Sequence, residues 1–199
     1  MLFRSWVTAA ACNYLPQVRV RARSFTRYHP GRRITVLLTD RKPVGVDFAA
    51  EPFDVLFPDD VGLPPAWAMT HSRKQLAAGA KPHLMLHALD HLAADAVIFV
   101  DPDTIVLGTM PDAEDVARQH AITLRPHFLA PGSRSDDLRP FVEDRVLEAG
   151  VYNGGLIGAT RCDEGRSFLA WGAQRHADRS EEHTSELQSR LHLVCRLLL

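Results

Sequence analysis

Asp101 and Asp103 stand one residue apart, with Pro102 between them, at the end of the stretch AVIFVDPD (residues 96–103). Pro102 fixes its own φ and pushes Asp101 toward an extended conformation. An extended backbone puts residues i and i+2 on one side, so the two carboxylates are expected to point together beyond the strand. Paired anions repel unless a cation sits between them or one is protonated. Three chemistries fit. Two hard oxygen ligands suit Mg²⁺ or Mn²⁺, which take carboxylate, water and phosphate oxygens and could clamp a diphosphate. Alternatively, carboxylates so placed could act on a phosphate ester directly, one as nucleophile. The third reading is structural, since Asp-Pro-Asp is also good turn chemistry.

The elements that must hold this pair alternate between strand and helix. Ala96 to Val100 is a continuous apolar run, the pattern of a central strand buried on both faces. Upstream, Trp6 to Ala11 suits a first strand, and Asn13 is placed to cap a helix with Pro16 in its first turn. Leu15, Val18, Ala22 and Phe25 form that helix's apolar stripe. Ile34 to Leu38 and Phe53 to Phe57 read as further strands, and Pro82 as the opening of a helix over Leu84 to Leu92. Downstream, Ala121 to Leu124 and Tyr152 to Ala159 suit strands, while Leu138 to Leu147 and Gly165 to His176 suit helices. Successive strand–helix units predict an α/β fold with a mainly parallel sheet flanked by helices. Ligands of such sheets bind beyond the carboxyl ends of the strands, where Asp101 and Asp103 stand.

Composition narrows the classes. The chain has 199 residues, a formal charge of −1 and 24% charged residues, so nothing marks it as a nucleic-acid binder. Cys12, Cys162 and Cys195 fit neither a disulfide framework nor a zinc spacing, and a reducing, cytoplasmic setting is the default. No apolar stretch is long enough to span a bilayer. The opening MLFRSWVTAAACNYL has some look of a signal peptide, but a first strand accounts for it better. From Arg179 the composition changes. RSEEHTSELQS resembles the translation of a sequencing-library adapter, which predicts a domain over residues 1–178, a non-native tail over 179–199 and a missing C-terminal portion. The alternative is an amphipathic terminal helix over Leu191, Val194 and Leu198.

Taken together, TAAACNYLPQVRVRARSF (residues 8–25), VIFVDPDTIVLG (97–108) and YNGGLIGAT (152–160) resemble the GT-A glycosyltransferases, particularly the glycogenin-like and family 8 group. The resemblance implies a Rossmann-like GT-A domain that moves a sugar from a nucleoside-diphosphate sugar to an acceptor, using a divalent cation. By this likeness Asp101 and Asp103 hold the metal and the diphosphate. Cys12, Asn13 and Tyr14 lie against the nucleoside, Asn153 faces donor sugar or acceptor, and Thr104 to Leu107 forms a short strand. A further metal ligand of that group, typically His, lies in a C-terminal segment that this chain does not match, so the 199-residue chain is expected to be inactive. The runner-up resemblance, to haloacid-dehalogenase phosphatases, implies Asp101 as nucleophile and Asp103 as acid and base, but it requires Thr two residues after the second aspartate, where Ile105 stands. The remaining alternative is a non-catalytic nucleotide-sugar-binding or inert fragment.

Several further residues carry two readings each. Gly154 and Gly155 would let a sugar approach the backbone closely, yet Asn153-Gly154-Gly155 is also a hairpin-turn signal. Lys81, read as preceding the helix opened by Pro82, opposes the helix dipole, which a bound diphosphate would relieve; a solvated lysine is the simpler account. Asp40 ends a strand on the ligand side and is a candidate nucleotide contact. His83, His87 and His91 recur every four residues and could bind zinc, but a polar helix face explains them. GSRSDDLRP (132–140) reads as a surface loop that could act as a lid.

Overall fold

The computed structural model describes residues 5–129, 146 and 150–178. The expected 132–140 loop, the 138–147 helix and the 179–199 tail fall outside those residues, apart from position 146. Among the described residues six strands form one sheet in the order β3-β2-β1-β4-β6-β5. β1 (Ser5–Ala10), β2 (Thr35–Leu38), β3 (Asp54–Leu56) and β4 (Ala96–Val100) run parallel. β6 (Tyr152–Thr160) is antiparallel both to β4 and to β5 (Ile122–Pro126). The α/β sheet is thus mainly parallel, as the alternation of strand and helix patterns predicts.

All residues of β1 and β2 are buried, as are four of the five in β4. Strand alternation sends their side chains into two cores. Val7, Ala9, Leu37, Val97 and Phe99 pack under α3 (Arg73–His91) and α5 (Asp163–Asp178). Trp6, Ala10, Val36, Leu38 and Ile98 pack under α1 (Leu15–Tyr28) and α4 (Pro111–Gln119). A short α2 (Trp67–Thr70) precedes α3.

Four local expectations are corrected. Asn13 is not a helix cap: residues Cys12–Tyr14 tighten into a 3₁₀ turn, and Tyr14 occupies the cap of α1 without a side-chain bond. Pro82 does not open a helix but lies inside α3, which starts nine residues earlier at a reciprocal cap. There the Gln75 backbone N–H donates to Ser72 Oγ, and the Ser72 backbone N–H donates to Gln75 Oε1. That cap, with packing against α5 and β1, outweighs the proline's missing donor. Lys81 therefore sits in mid-helix, and its supposed opposition to a helix N-terminus falls away. Residues 104–107 form no strand; the Val106 N–H is taken by Ser24 Oγ on α1 at 3.0 Å. Finally, Asn153-Gly154-Gly155 is not a hairpin turn but part of β6, where Asn153 pairs with Arg125 of β5 and the Gly155 carbonyl accepts the Asp101 N–H at 2.9 Å.

Candidate functional site

β4 ends at Val100, and the chain turns at once. The Asp101 carbonyl accepts the Thr104 N–H at 3.3 Å and the Thr104 hydroxyl at 2.9 Å. Asp-Pro-Asp is therefore a turn, so the two carboxylates are brought to the cleft by the turn rather than by strand alternation. The expectation of an extended backbone from Asp101 to Asp103 is corrected. The structural reading of the motif holds, and the turn is what presents the two carboxylates to the cleft. Both line a cleft of about 790 Å³ at the carboxyl ends of β1 and β4, beside the first residues of β6. Asp101 is half-buried and Asp103 exposed.

Beneath the turn lies Arg21 of α1, fully buried. Its Nη1 donates to the Asp101 carbonyl and to Thr104 Oγ1, both at 2.7 Å. Burial pushes the guanidinium down to about 10, partly opposed by the Asp101 and Asp103 carboxylates. Sequence reading missed this residue. A signal was present: Arg21 falls at helical spacing on the apolar stripe of Val18, Ala22 and Phe25, where a charged side chain demands a buried partner.

From the opposite side Lys81 of α3 reaches the same turn. Its Nζ donates to Asp101 Oδ1 and to the Gly154 carbonyl, each at 2.9 Å, and lies 4.6 Å from the centre of the Phe99 ring. It is no solvated lysine. Asn153 bends its carbonyl oxygen back to accept the Gly155 N–H at 2.6 Å. Gly155 is required by close approach: a Cβ there would fall 2.8 Å from Asp101 Oδ2 and 2.7 Å from Asn153 Oδ1.

Of the residues expected at the site, Asn13, Tyr14, Lys81, Asp101, Asp103, Asn153 and Gly154 line the cleft. Cys12 and Asp40 do not: the Cys12 N–H donates to Asp40 Oδ2 at 2.7 Å, so the carboxylate braces the turn after β1. Burial and the neighbouring Asp40 push the Cys12 thiol up, keeping it protonated. The cleft also takes in Arg73, Lys74, His127, Trp171 and His176, none of which the sequence signalled. His83 packs edge-on to Trp67 and His87 against His91; among the described residues no group of three or more His, Cys, Asp and Glu is arranged to hold a metal.

No protein-family model and no curated protein matches the sequence. Solved structures do. The galactosyltransferase LgtC, solved with donor and acceptor sugar analogs, matches 90% of this chain at 17% identity and a TM-score of 0.51. The glycosyltransferase GlyE of Streptococcus pneumoniae TIGR4 matches 98% at 15% identity and a TM-score of 0.57. The chain has a GT-A-like glycosyltransferase fold. The bifunctional glycosyltransferase WbbM matches 85% of it at 17% identity and a TM-score of 0.50. The chain spans 66%, 43% and 33% of the lengths of LgtC, GlyE and WbbM respectively. Within this GT-A-like fold the cleft occupies the carboxyl edge of the sheet, where open α/β sheets bind ligands. No helix among the described residues is long and apolar enough to cross a membrane.

Proposed function

We propose that the cleft binds a nucleoside-diphosphate sugar together with Mn²⁺ or Mg²⁺, and that the activity it serves is transfer of the sugar to an acceptor. The observation that carries this reading is the Asp101-Pro102-Asp103 turn, presented beside Lys81 at the carboxyl end of β4 in a GT-A-like fold. The donor set suits such a cation: two carboxylates with room left for water and phosphate oxygens is how a small, strongly hydrated divalent ion is held. Asp101 and Asp103 would be its protein ligands, and bound there it would neutralise charge on the diphosphate leaving group. Lys81 would meet the phosphates. Asn13 and Tyr14, with the small Ala9, Ala10 and Ala11 at the end of β1, would take the nucleoside, and Asn153 and Gly154 the sugar side.

Calorimetric titration of UDP and of GDP, with and without Mn²⁺, tests this reading. Metal-dependent binding by the native chain and its loss in Asp103→Asn are expected. Binding by neither nucleotide, or binding indifferent to both metal and Asp103, would overturn it. Hydrolysis of a generic phosphomonoester through an aspartyl-phosphate would instead establish the phosphatase reading with Asp101 as nucleophile. Metal-dependent binding with no release of nucleoside diphosphate from any nucleotide sugar in the presence of acceptors would leave a binding module.

A further inference from the structure

One oxygen of the carboxylate pair already has a cation. Lys81 Nζ sits 2.9 Å from Asp101 Oδ1, with the lysine side chain 19% exposed and the aspartate 38%. The other oxygen, Oδ2, points toward Gly155, where an added Cβ would fall 2.8 Å from it. A divalent ion arriving alone must therefore displace the ammonium from Oδ1 or crowd against it, and like charges at such a distance repel. The ammonium is held independently of Asp101, by the Gly154 carbonyl at 2.9 Å and by the Phe99 ring 4.6 Å from its centre. It can release the carboxylate and stay in place. With three donors and only two acceptors then engaged, it offers one N–H to an incoming anion.

We propose that Lys81 is the resident counter-ion of Asp101 and exchanges from that carboxylate to the phosphates of the incoming nucleotide. Free divalent metal then binds weakly, and metal and nucleoside diphosphate favour each other. This rests on the nucleotide-sugar reading above and adds to it a coupling located in one side chain. Linkage makes the coupling reciprocal: the metal strengthens nucleotide binding by the same factor as the nucleotide strengthens metal binding. The exchange also keeps Asp101 from standing uncompensated before the nucleotide arrives.

The test is Mn²⁺ binding, followed through the electron paramagnetic resonance signal of free Mn²⁺, without nucleotide and with saturating UDP or GDP. It is run on the native chain, Lys81→Met, Lys81→Gln and Lys74→Met. Lys81→Gln removes the charge while keeping a donor for the Gly154 carbonyl, which guards against simple misfolding. Lys74→Met removes a cleft lysine that has no bond to Asp101. Both Lys81 variants should bind Mn²⁺ alone roughly tenfold more tightly, about the worth of one charge-assisted hydrogen bond. They should also show a smaller strengthening by nucleotide, while Lys74→Met keeps the native coupling. Unchanged coupling in the Lys81 variants, or the same change in Lys74→Met, would overturn the exchange while leaving the nucleotide reading intact. Absence of nucleotide binding in the native chain at any metal concentration would overturn both.

Discussion

Arg21 and Asp101, 80 residues apart in sequence, meet through a 2.7 Å hydrogen bond from a fully buried guanidinium to the aspartate's backbone carbonyl. The contact holds the turn from below, while the charge lies under both carboxylates. Its loss should separate positioning from folding. In Arg21→Met the Asp101 carbonyl keeps its bonds from Thr104, so no acceptor is orphaned, and a costly buried charge is gone. Stability should stay within about 1–2 kcal/mol of native. Metal-dependent nucleotide affinity should fall, because the turn that presents the two carboxylates loses the bonds that hold it from below. Chemical denaturation beside calorimetry checks this; a native-like affinity would refute the positioning role.

The two aspartates should respond differently to neutralisation. Asp103 is exposed, so Asp103→Asn should weaken metal-dependent binding and leave stability unchanged or slightly raised. Asp101→Asn should also weaken metal-dependent binding, but it leaves the half-buried Lys81 without its carboxylate and should cost about 1 kcal/mol or less of stability. Thermal melts of the two variants, compared at one pH, decide whether the stability effects part in this way.

Two glycine substitutions should part in a similar way. Ala at Gly155 meets only the ends of the Asp101 and Asn153 side chains, which can swing aside. The fold should survive and metal-dependent binding should drop, since Asp101 is driven off its position. Ala at Gly165 meets the Thr160 carbonyl at 2.3 Å and the Ala121 carbonyl at 2.9 Å, and backbone cannot swing aside. Gly165→Ala should cost about 2 kcal/mol or more. Equal melting temperatures for the two variants would contradict this contrast.

Acid should destabilise the chain through α3. Burial holds the His83 imidazole below its ordinary 6.5, and its Nε2 is buried without a partner among the described residues. As pH falls below 6.5 the unfolded chain takes up a proton that the folded one resists, so stability falls by at most about 1.4 kcal/mol per pH unit for this group. His83→Phe retains an aromatic ring against Trp67 and should flatten that fall. Urea denaturation at pH 7.5 and 5.5 gives the comparison, with parallel losses in both proteins as the contrary result.

The sheet and the cleft at its carboxyl edge were legible from the sequence because their causes are local. Unbroken apolar runs specify strands buried on both faces, as in Ala96–Val100 and Thr35–Leu38. Helical spacing specifies the face of α1 that meets them, and alternation of the two implies parallel strands with a ligand edge. Pro82 misled because a cap ten residues upstream and packing on α5 set the start of α3, and neither is visible in the proline itself. Asn13 misled because a 3₁₀ turn took it up before the helix began.

The sequence alone thus determined that two carboxylates stand at the end of a central strand, on the side of the sheet where ligands bind. Which charges answer them was decided only by the tertiary structure. Lys81 lies 20 residues before Asp101 and 73 before Gly154, and Arg21 lies 80 before Asp101. No periodicity links such positions. Their meeting depends on how α1 and α3 settle on opposite faces of the sheet, and on the register that sets Val100 beside Leu156 and brings Gly155 against Asp101. Charges in sequence are interchangeable until packing removes water from some and leaves others exposed, and that burial makes Arg21 and Lys81 parts of the site.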